Sequence, residues 1–553
     1  MKIATRLISS LEKNFWDEPL FAPEFSCVGA LRGERISFQV AMQLSDENYF
    51  DIKNEFAYVC ATAETELCPN VEIREVKQIP VTHPVMRDHD DDYLRTTPGL
   101  FPDPLFPHCG EFSLTLNQWR CLWITVPVPQ DAAAGDHPVR ITIRNALNSE
   151  LLDECVFTVH VIPSVLPKQT LLHTEWFHLD CIASHYHVDI FSEAHWELID
   201  KFMENASHYG INLLFTPLFT PPVDTAVGAE RPTVQLVEVF AEKNGYRFGF
   251  DRLDRYFSLA KKHGIESFEF SHLFTQWGAK ATPKVVAWVD GQEKRIFGWD
   301  TNSQSAEYRS FIREFLQKLK EHLIAYGILQ NCWFHISDEP NSEMLEDYKK
   351  AVDAVGDLLA DCHVIDALLE YSFYERGLIR QPIPPLDVLD DFLEKGFEHP
   401  WSYYCCGQAR DVSNRMVAMP SYRNRILGWQ LYKYQVEGFL QWGYNFWYSF
   451  LSRRVIDPFF ESGGVDSFPA GDPYMVYPGE NGEPIPSLRQ MVFYEALQDM
   501  RALQLLESLI GREKTVALSE SDGEICLKKY PRSNAWMLNQ REKINRAIEE
   551  NLK

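Results

Sequence analysis

The sequence predicts a multidomain α/β and all-β protein: a (β/α)8 TIM-like barrel preceded by an N-terminal β-sandwich, with a small C-terminal extension. Three observations carry this. Apolar and polar residues alternate with period two through about the first 165 residues. From about residue 168 the pattern changes to strand, then helix, repeated. Within that repeat, Trp333-Phe334-His335-Ile336-Ser337-Asp338-Glu339-Pro340 reads as a buried strand that ends in two adjacent carboxylates, with Pro340 blocking further pairing.

Arg35–Met42, Val71–Val76, Val139–Ile143 and Val156–Val161 alternate, and Gly, Pro and Asn break the intervals between them. That is a sandwich pattern, with one buried and one wet face per strand. Pro163–Pro167 reads as a linker, so the expected domains are 1–165, 168–510 and 511–553. At 553 residues, two or three domains are expected.

Eight candidate barrel strands follow: Leu171–Phe177, Asn212–Thr216, Ser267–Leu273, Cys332–Ser337, His363–Leu368, Trp401–Cys406, Arg425–Leu431 and Tyr444–Ser449. Amphipathic segments such as Glu193–Tyr209 and Tyr308–Ala325 separate them. Two loops carry hairpin signals at Asn244-Gly245 and Asp290-Gly291, which favour type I′ turns. They are expected to wall in a cleft at the barrel mouth or to decorate the surface. The loop Asp457–Gly479 is long and rich in Gly and Pro, which favours a functional role. An amphipathic helix runs from Ser487 to about Leu509, then a strand or two and a helix near Ala535–Leu552.

The net charge of −26 argues against nucleic acid or an anionic membrane as partner. No run of 18 apolar residues appears, and Arg6, Glu12 and Lys13 interrupt the N-terminal apolar run, so a cytoplasmic location is expected. The 12 Cys show no zinc-type pairing and read as reduced core thiols. Aromatics make up 13% of the chain, which suits both core packing and stacking against sugar rings.

Asp338 and Glu339 have a bland reading as N-terminal acids of the helix near Ser342–Val355. On a barrel they would stand at the C-terminal end of strand four, where such folds place catalytic groups. Adjacent acids do not flank a scissile bond, as the usual glycosidase pair does. They fit a scheme in which the 2-acetamido oxygen of a hexosamine attacks C1. Asp338 then steadies the charged amide, and Glu339 protonates the leaving oxygen and later deprotonates water. An ionised Asp338 would raise the proton affinity of Glu339.

The chain resembles glycoside hydrolase family 123, the β-N-acetylgalactosaminidases with a DUF4091-type catalytic domain. The resemblance runs over almost the whole chain. It includes Leu31–Gln39, Pro217–Thr225, Ser271–Gly278, His335–Pro340, Tyr403–Cys406 and Phe468–Asp472. It implies retention, the Asp338 and Glu339 roles above, a GalNAc preference, no metal and no cofactor. A small saccharide, or one derived from a glycolipid or glycan, is the implied substrate. Candidate substrate contacts are Gln276, Trp277, His335, Tyr403, Trp429, Asn445, Trp447 and Asp472, with barrel packing the alternative for each aromatic. Of Tyr403 and Tyr404, alternation lets one point inward, and Tyr403 is favoured. His185-Tyr186-His187 offers a metal-hydrolase alternative, but it falls beyond strand one and lacks matching ligands. A non-catalytic carbohydrate-binding protein is the other alternative.

Overall fold

The computed structural model describes residues 2–45, 56–464 and 467–552. Residues 465–466 of the loop Asp457–Gly479, and Lys553 of the tail, lie outside them. The first 165 residues supply two five-stranded sheets. One runs, in spatial order, Ile3–Ser9, Arg35–Leu44, Arg120–Pro127, Glu72–Val81, Gly99–Pro107, all antiparallel. The other runs Cys27–Arg32, Leu151–Val165, Gly135–Asn145, Phe56–Glu64, Phe112–Thr115.

Phe38, Val40, Leu122 and Ile124 of the first sheet meet Val139, Ile141, Phe157 and Val159 of the second in one core. Phe38 and Phe157 stack across it with ring centroids 3.9 Å apart. Gly135–Asn145 keeps the expected wet face. Arg120–Pro127 does not, because the outer face of its sheet is buried too. Ala41, Val76, Phe101 and Trp123 pack into the second, larger core shared with the strands and helices that follow.

Eight parallel strands, each followed by a helix, make up the next part. In chain order they are Leu172–Glu175, Leu213–Thr216, Ser267–Phe270, Cys332–Phe334, His363–Ala367, Gln381–Ile383, Trp401–Tyr403 and Gly438–Gln441. They form two arcs, strands two to six and strands seven, eight and one. The seams between the arcs have local causes. At one, Pro382, Pro384 and Pro385 lack N–H donors, so strand seven is held by Tyr403 N to Pro384 O at 3.2 Å and Leu386 N to Tyr403 O at 3.0 Å. At the other, the Asn212 side chain replaces a ladder bond, accepting from His173 N at 2.8 Å.

Three expectations are corrected. Arg425–Leu431 is not a strand but part of the helix Ser421–Lys433. Tyr444–Ser449 is buried non-strand chain, and strand eight is Gly438–Gln441. The tail holds no strand among the described residues; it is two helices, Arg512–Ser519 and Asn534–Asn551. The last helix packs on both halves. Asn545 donates to Gly29 O at 2.9 Å. Arg541 bridges Glu34 and Asp499 at 2.5 and 2.7 Å.

Both hairpins form, as Glu238–Glu242 with Gly245–Gly249 and Val285–Val289 with Gln292–Phe297. Asp290 and Gly291 have φ of 51° and 75°, as a type I′ turn requires. The hairpins join edge to edge through Phe240 and Trp288. All 12 Cys are unbridged; Cys121, Cys181, Cys332 and Cys362 are buried, whereas Cys27 and Cys109 are exposed. No helix among the described residues is long and apolar enough to cross a membrane.

Candidate active site

Strand four leaves the ladder at Phe334, and the backbone then turns. In an extended strand, Asp338 and Glu339 would point to opposite faces. Glu339 instead adopts φ 41°, a left-handed conformation rare outside glycine. Two backbone bonds hold it: Glu339 N to Ala367 O, and Trp277 N to Asp338 O, both 3.1 Å. Both carboxylates therefore line one cavity of about 140 Å³ at the C-terminal end of the strands.

Gln276, Trp277 and Tyr403 line it with them. Trp277 is 40% exposed and stands at the mouth. The Tyr403 hydroxyl donates to Glu339 Oε1. The cavity also takes in Trp176, Asp224, Cys405, Cys406, Trp442 and Phe468, none of which the sequence reading placed there. Trp176 and Trp442 sit just past the ends of strands one and eight, a position that the expected bounds Leu171–Phe177 and Tyr444–Ser449 hid. Phe468 comes from the long final loop.

Beneath the cavity lies a sealed polar belt. His335 is fully buried between Glu269, 2.7 Å from Nε2, and Asp366, 3.1 Å from Nδ1. Burial lowers its pKa, but the two carboxylates outweigh that and raise it to about 9, so the ring is an imidazolium. Asp366 also accepts from Ile336 N at 3.0 Å and from Tyr348 Oη at 2.6 Å. Glu269 accepts from Trp176 Nε1 at 2.8 Å. The belt thus orients one cavity wall and the backbone that leads to the acid pair.

His272, His335 and Asp366 offer ligand atoms within 4.8 Å of one another. Those atoms could hold a metal if His335 gave up a proton. Paired with two carboxylates, a doubly protonated ring has no lone pair to offer. His185 and His187 sit at the end of the helix Leu179–Tyr186 and do not line the cavity.

Four other expected contacts lie away from the cavity surface. Trp429 is in a helix and donates to Asp499 Oδ2 at 3.0 Å. Asn445 is clamped to the His178 backbone at 2.8 and 3.1 Å. Trp447 donates to Val476 O at 3.2 Å. All three are committed to packing. Asp472 lies behind Trp442, accepting from its Nε1 at 3.1 Å, and burial pushes its pKa up to about 7. The hairpins do not wall this cavity; with Phe191 and Arg252 they bound a separate groove of about 340 Å³ under Trp288.

Burial, and then the charge of Glu339, push Asp338 well above the usual carboxylate range. The sequence argument put the rise on Glu339; burial in the structure raises Asp338. The raised Asp338 keeps a proton in the cavity at a pH where an isolated carboxyl would have lost it.

Adjacent acids at a strand tip, an aromatic-walled cavity and a tyrosine on one acid form an arrangement that glycoside chemistry can use. Residues 176–506 match the glycoside hydrolase 123 catalytic domain, and the chain belongs to that family. It is a glycosidase. A family 123 glycoside hydrolase from Clostridium perfringens, described as acting in glycolipid glycan hydrolysis, shares the fold with a TM-score of 0.72. Identity is 14%, over 99% of this chain and 98% of that one. A Bacteroides uniformis β-glucuronidase aligns with a TM-score of 0.30 and 10% identity over 87% of this chain and 49% of that one, too low to carry an argument. No curated protein matches in sequence.

Proposed function

We propose that the chain releases β-linked N-acetylhexosamine, with GalNAc favoured, from a saccharide or glycolipid-type substrate, with retention through the 2-acetamido group. One observation carries this: Asp338 and Glu339, consecutive in sequence, face the same cavity. Carboxylates so close cannot sit on opposite sides of a scissile bond. They can sit side by side along one sugar face.

In this reading the acetamide lies against Asp338, and its oxygen attacks C1. Asp338 holds the amide N–H and offsets the positive charge that develops. The proton retained by the pair is delivered by Glu339 to the leaving oxygen. Glu339 then takes a proton from the water that opens the cyclic intermediate. Tyr403 holds Glu339 in place, and Trp176, Trp277 and Trp442 supply faces for the ring. The glycolipid-type substrate rests on the description of the Clostridium perfringens relative. We read the two arcs as one distorted (β/α)8 barrel, with residues 1–165, 168–510 and 511–553 as the domains.

The test is hydrolysis of an aryl N-acetyl-β-galactosaminide by wild type and Glu339→Gln, with the first-formed anomer read by NMR. Release of the β-anomer by wild type and loss in the variant are expected. An α-anomer as first product overturns retention. Binding of the sugar without hydrolysis of any hexosaminide overturns the substrate assignment.

A further inference from the structure

We infer that Asp224 is a substrate-binding residue of this cavity: its carboxylate accepts a hydrogen bond from a hydroxyl of the bound hexosamine, and Gln276 serves to hold it there. The inference rests on the hexosaminidase reading above and adds a contact to it.

Asp224 lines the cavity together with Asp338 and Glu339. Its φ is 43°, a backbone conformation that a glycine would adopt without strain. The surroundings fix it from two sides. Gln276 Oε1 accepts from Asp224 N at 2.6 Å, and Gln276 Nε2 donates to Thr225 O at 3.3 Å. Ser452 Oγ donates to Asp224 O at 2.7 Å, and Leu451 N donates to Asp224 Oδ2 at 3.1 Å. Leu451 and Ser452 are themselves left-handed, with φ of 58° and 53°. Two loops from opposite ends of the barrel sequence thus lock together around one side chain.

The lock changes the role of Gln276. Both ends of its amide are spent on the backbone of 224–225, so it is a positioning residue. The polar group it presents to the cavity is the carboxylate of Asp224. Oδ2 is taken by Leu451. Oδ1 takes no hydrogen bond among the described residues. Burial raises the Asp224 pKa to about 6, against the pull of Arg231 and the Leu451 N–H, so near neutral pH it is an ionised acceptor. The cavity already holds two other acids, and a neutral donor is what this oxygen can take. Sugar hydroxyls are such donors, and a hydroxyl bonded to a charged acceptor is a strong discriminator.

The test pairs substrate and side-chain deletions. Wild type, Asp224→Asn and Asp224→Gly are assayed on the aryl N-acetyl-β-galactosaminide and its 3-, 4- and 6-deoxy analogues. Both replacements tolerate positive φ. Expected is a fall in kcat/KM of about 10- to 100-fold in each variant, and a similar fall for wild type on one deoxy analogue. On that analogue the variants should lose little more, since the partner is already gone. Full activity in Asp224→Asn, or losses that simply multiply, would overturn the contact. A crystal of the unaltered protein with the thiazoline of N-acetylgalactosamine gives a second reading. A sugar hydroxyl within about 3.2 Å of Asp224 is expected, and none within reach overturns the inference whatever the variants do. Wild type inert on every hexosaminide would instead sink the substrate reading beneath it.

Discussion

The Tyr403 hydroxyl donates to Glu339 Oε1 at 2.5 Å, tying the end of strand seven to the end of strand four. Burial and the charge of Glu339 hold the phenol well above its ordinary pKa, so it remains a donor. Tyr403→Phe should lower kcat/KM by about 10- to 100-fold while leaving the melting temperature nearly unchanged. Steady-state kinetics with unaltered kcat/KM would remove Tyr403 from the site.

Glu339→Gln and Asp338→Asn should each lower kcat by about 100- to 10,000-fold. They should part in binding. A thiazoline that mimics the cyclised acetamide should inhibit wild type strongly, because it resembles the charged intermediate. Its affinity should fall in Asp338→Asn and hold in Glu339→Gln. Equal affinity for all three proteins, by calorimetry, would take Asp338 away from the acetamide.

Trp277 offers an exposed ring at the cavity mouth, and its backbone is tied to Asp338. Trp277→Ala should raise KM roughly tenfold, the scale of one lost ring contact, with a smaller change in kcat. A loss confined to kcat would mean that the ring shapes the acid pair rather than the ligand.

The adjacency of Asp338 and Glu339 and their place at the tip of strand four were legible directly. The turn at Glu339 was not, since a positive φ at a glutamate has no residue signature. The expected strands Arg425–Leu431 and Tyr444–Ser449 fail for a related reason. The helix Ser421–Lys433 is buried from Ser421 to Tyr432, so no polar face marks its period. Tyr444–Ser449 is aromatic because it fills the core as irregular chain, which alternation cannot distinguish from a strand. Gln381-Pro382-Ile383 escaped notice because proline argues against a strand, and here the strand ends an arc. Asp224 was in view as a motif residue, but the bonds that fix it include Leu451 and Ser452, more than 200 positions away.

His335 makes stability depend on pH. Its folded pKa, about 9, lies above the ordinary histidine value of 6.5. Its contribution is therefore complete below about pH 6.5 and is lost as pH rises through 9. Asp366, raised by burial against the pull of His335, acts in the same direction at lower pH. Urea denaturation should show stability falling by about 1–3 kcal/mol between pH 6.5 and 9. His335→Gln should flatten that slope, and an equal slope in the variant would place the titration elsewhere.

Arg489 is buried against Asp103, with Nε and Nη2 both at 2.9 Å, and also donates to Gly471 O and Tyr474 O. Arg489→Met leaves Asp103 buried with the Tyr477 hydroxyl as its remaining side-chain donor. Unfolding free energy should fall by about 3–5 kcal/mol. A loss under 1 kcal/mol in urea titration would mean that Asp103 takes up a proton or reaches water.

Asp103 sits on the outermost strand of the first sheet, whereas Arg489 opens the helix that follows strand eight. A truncated product starting near residue 168 would strip Arg489 of its counter-ion and bare the surface that Trp123 and Phe101 cover. Such a fragment should aggregate on expression, although the stretch that defines the family lies wholly inside it. Engineering of this enzyme therefore has to carry the leading sheets along, even though none of their described residues lines the pocket.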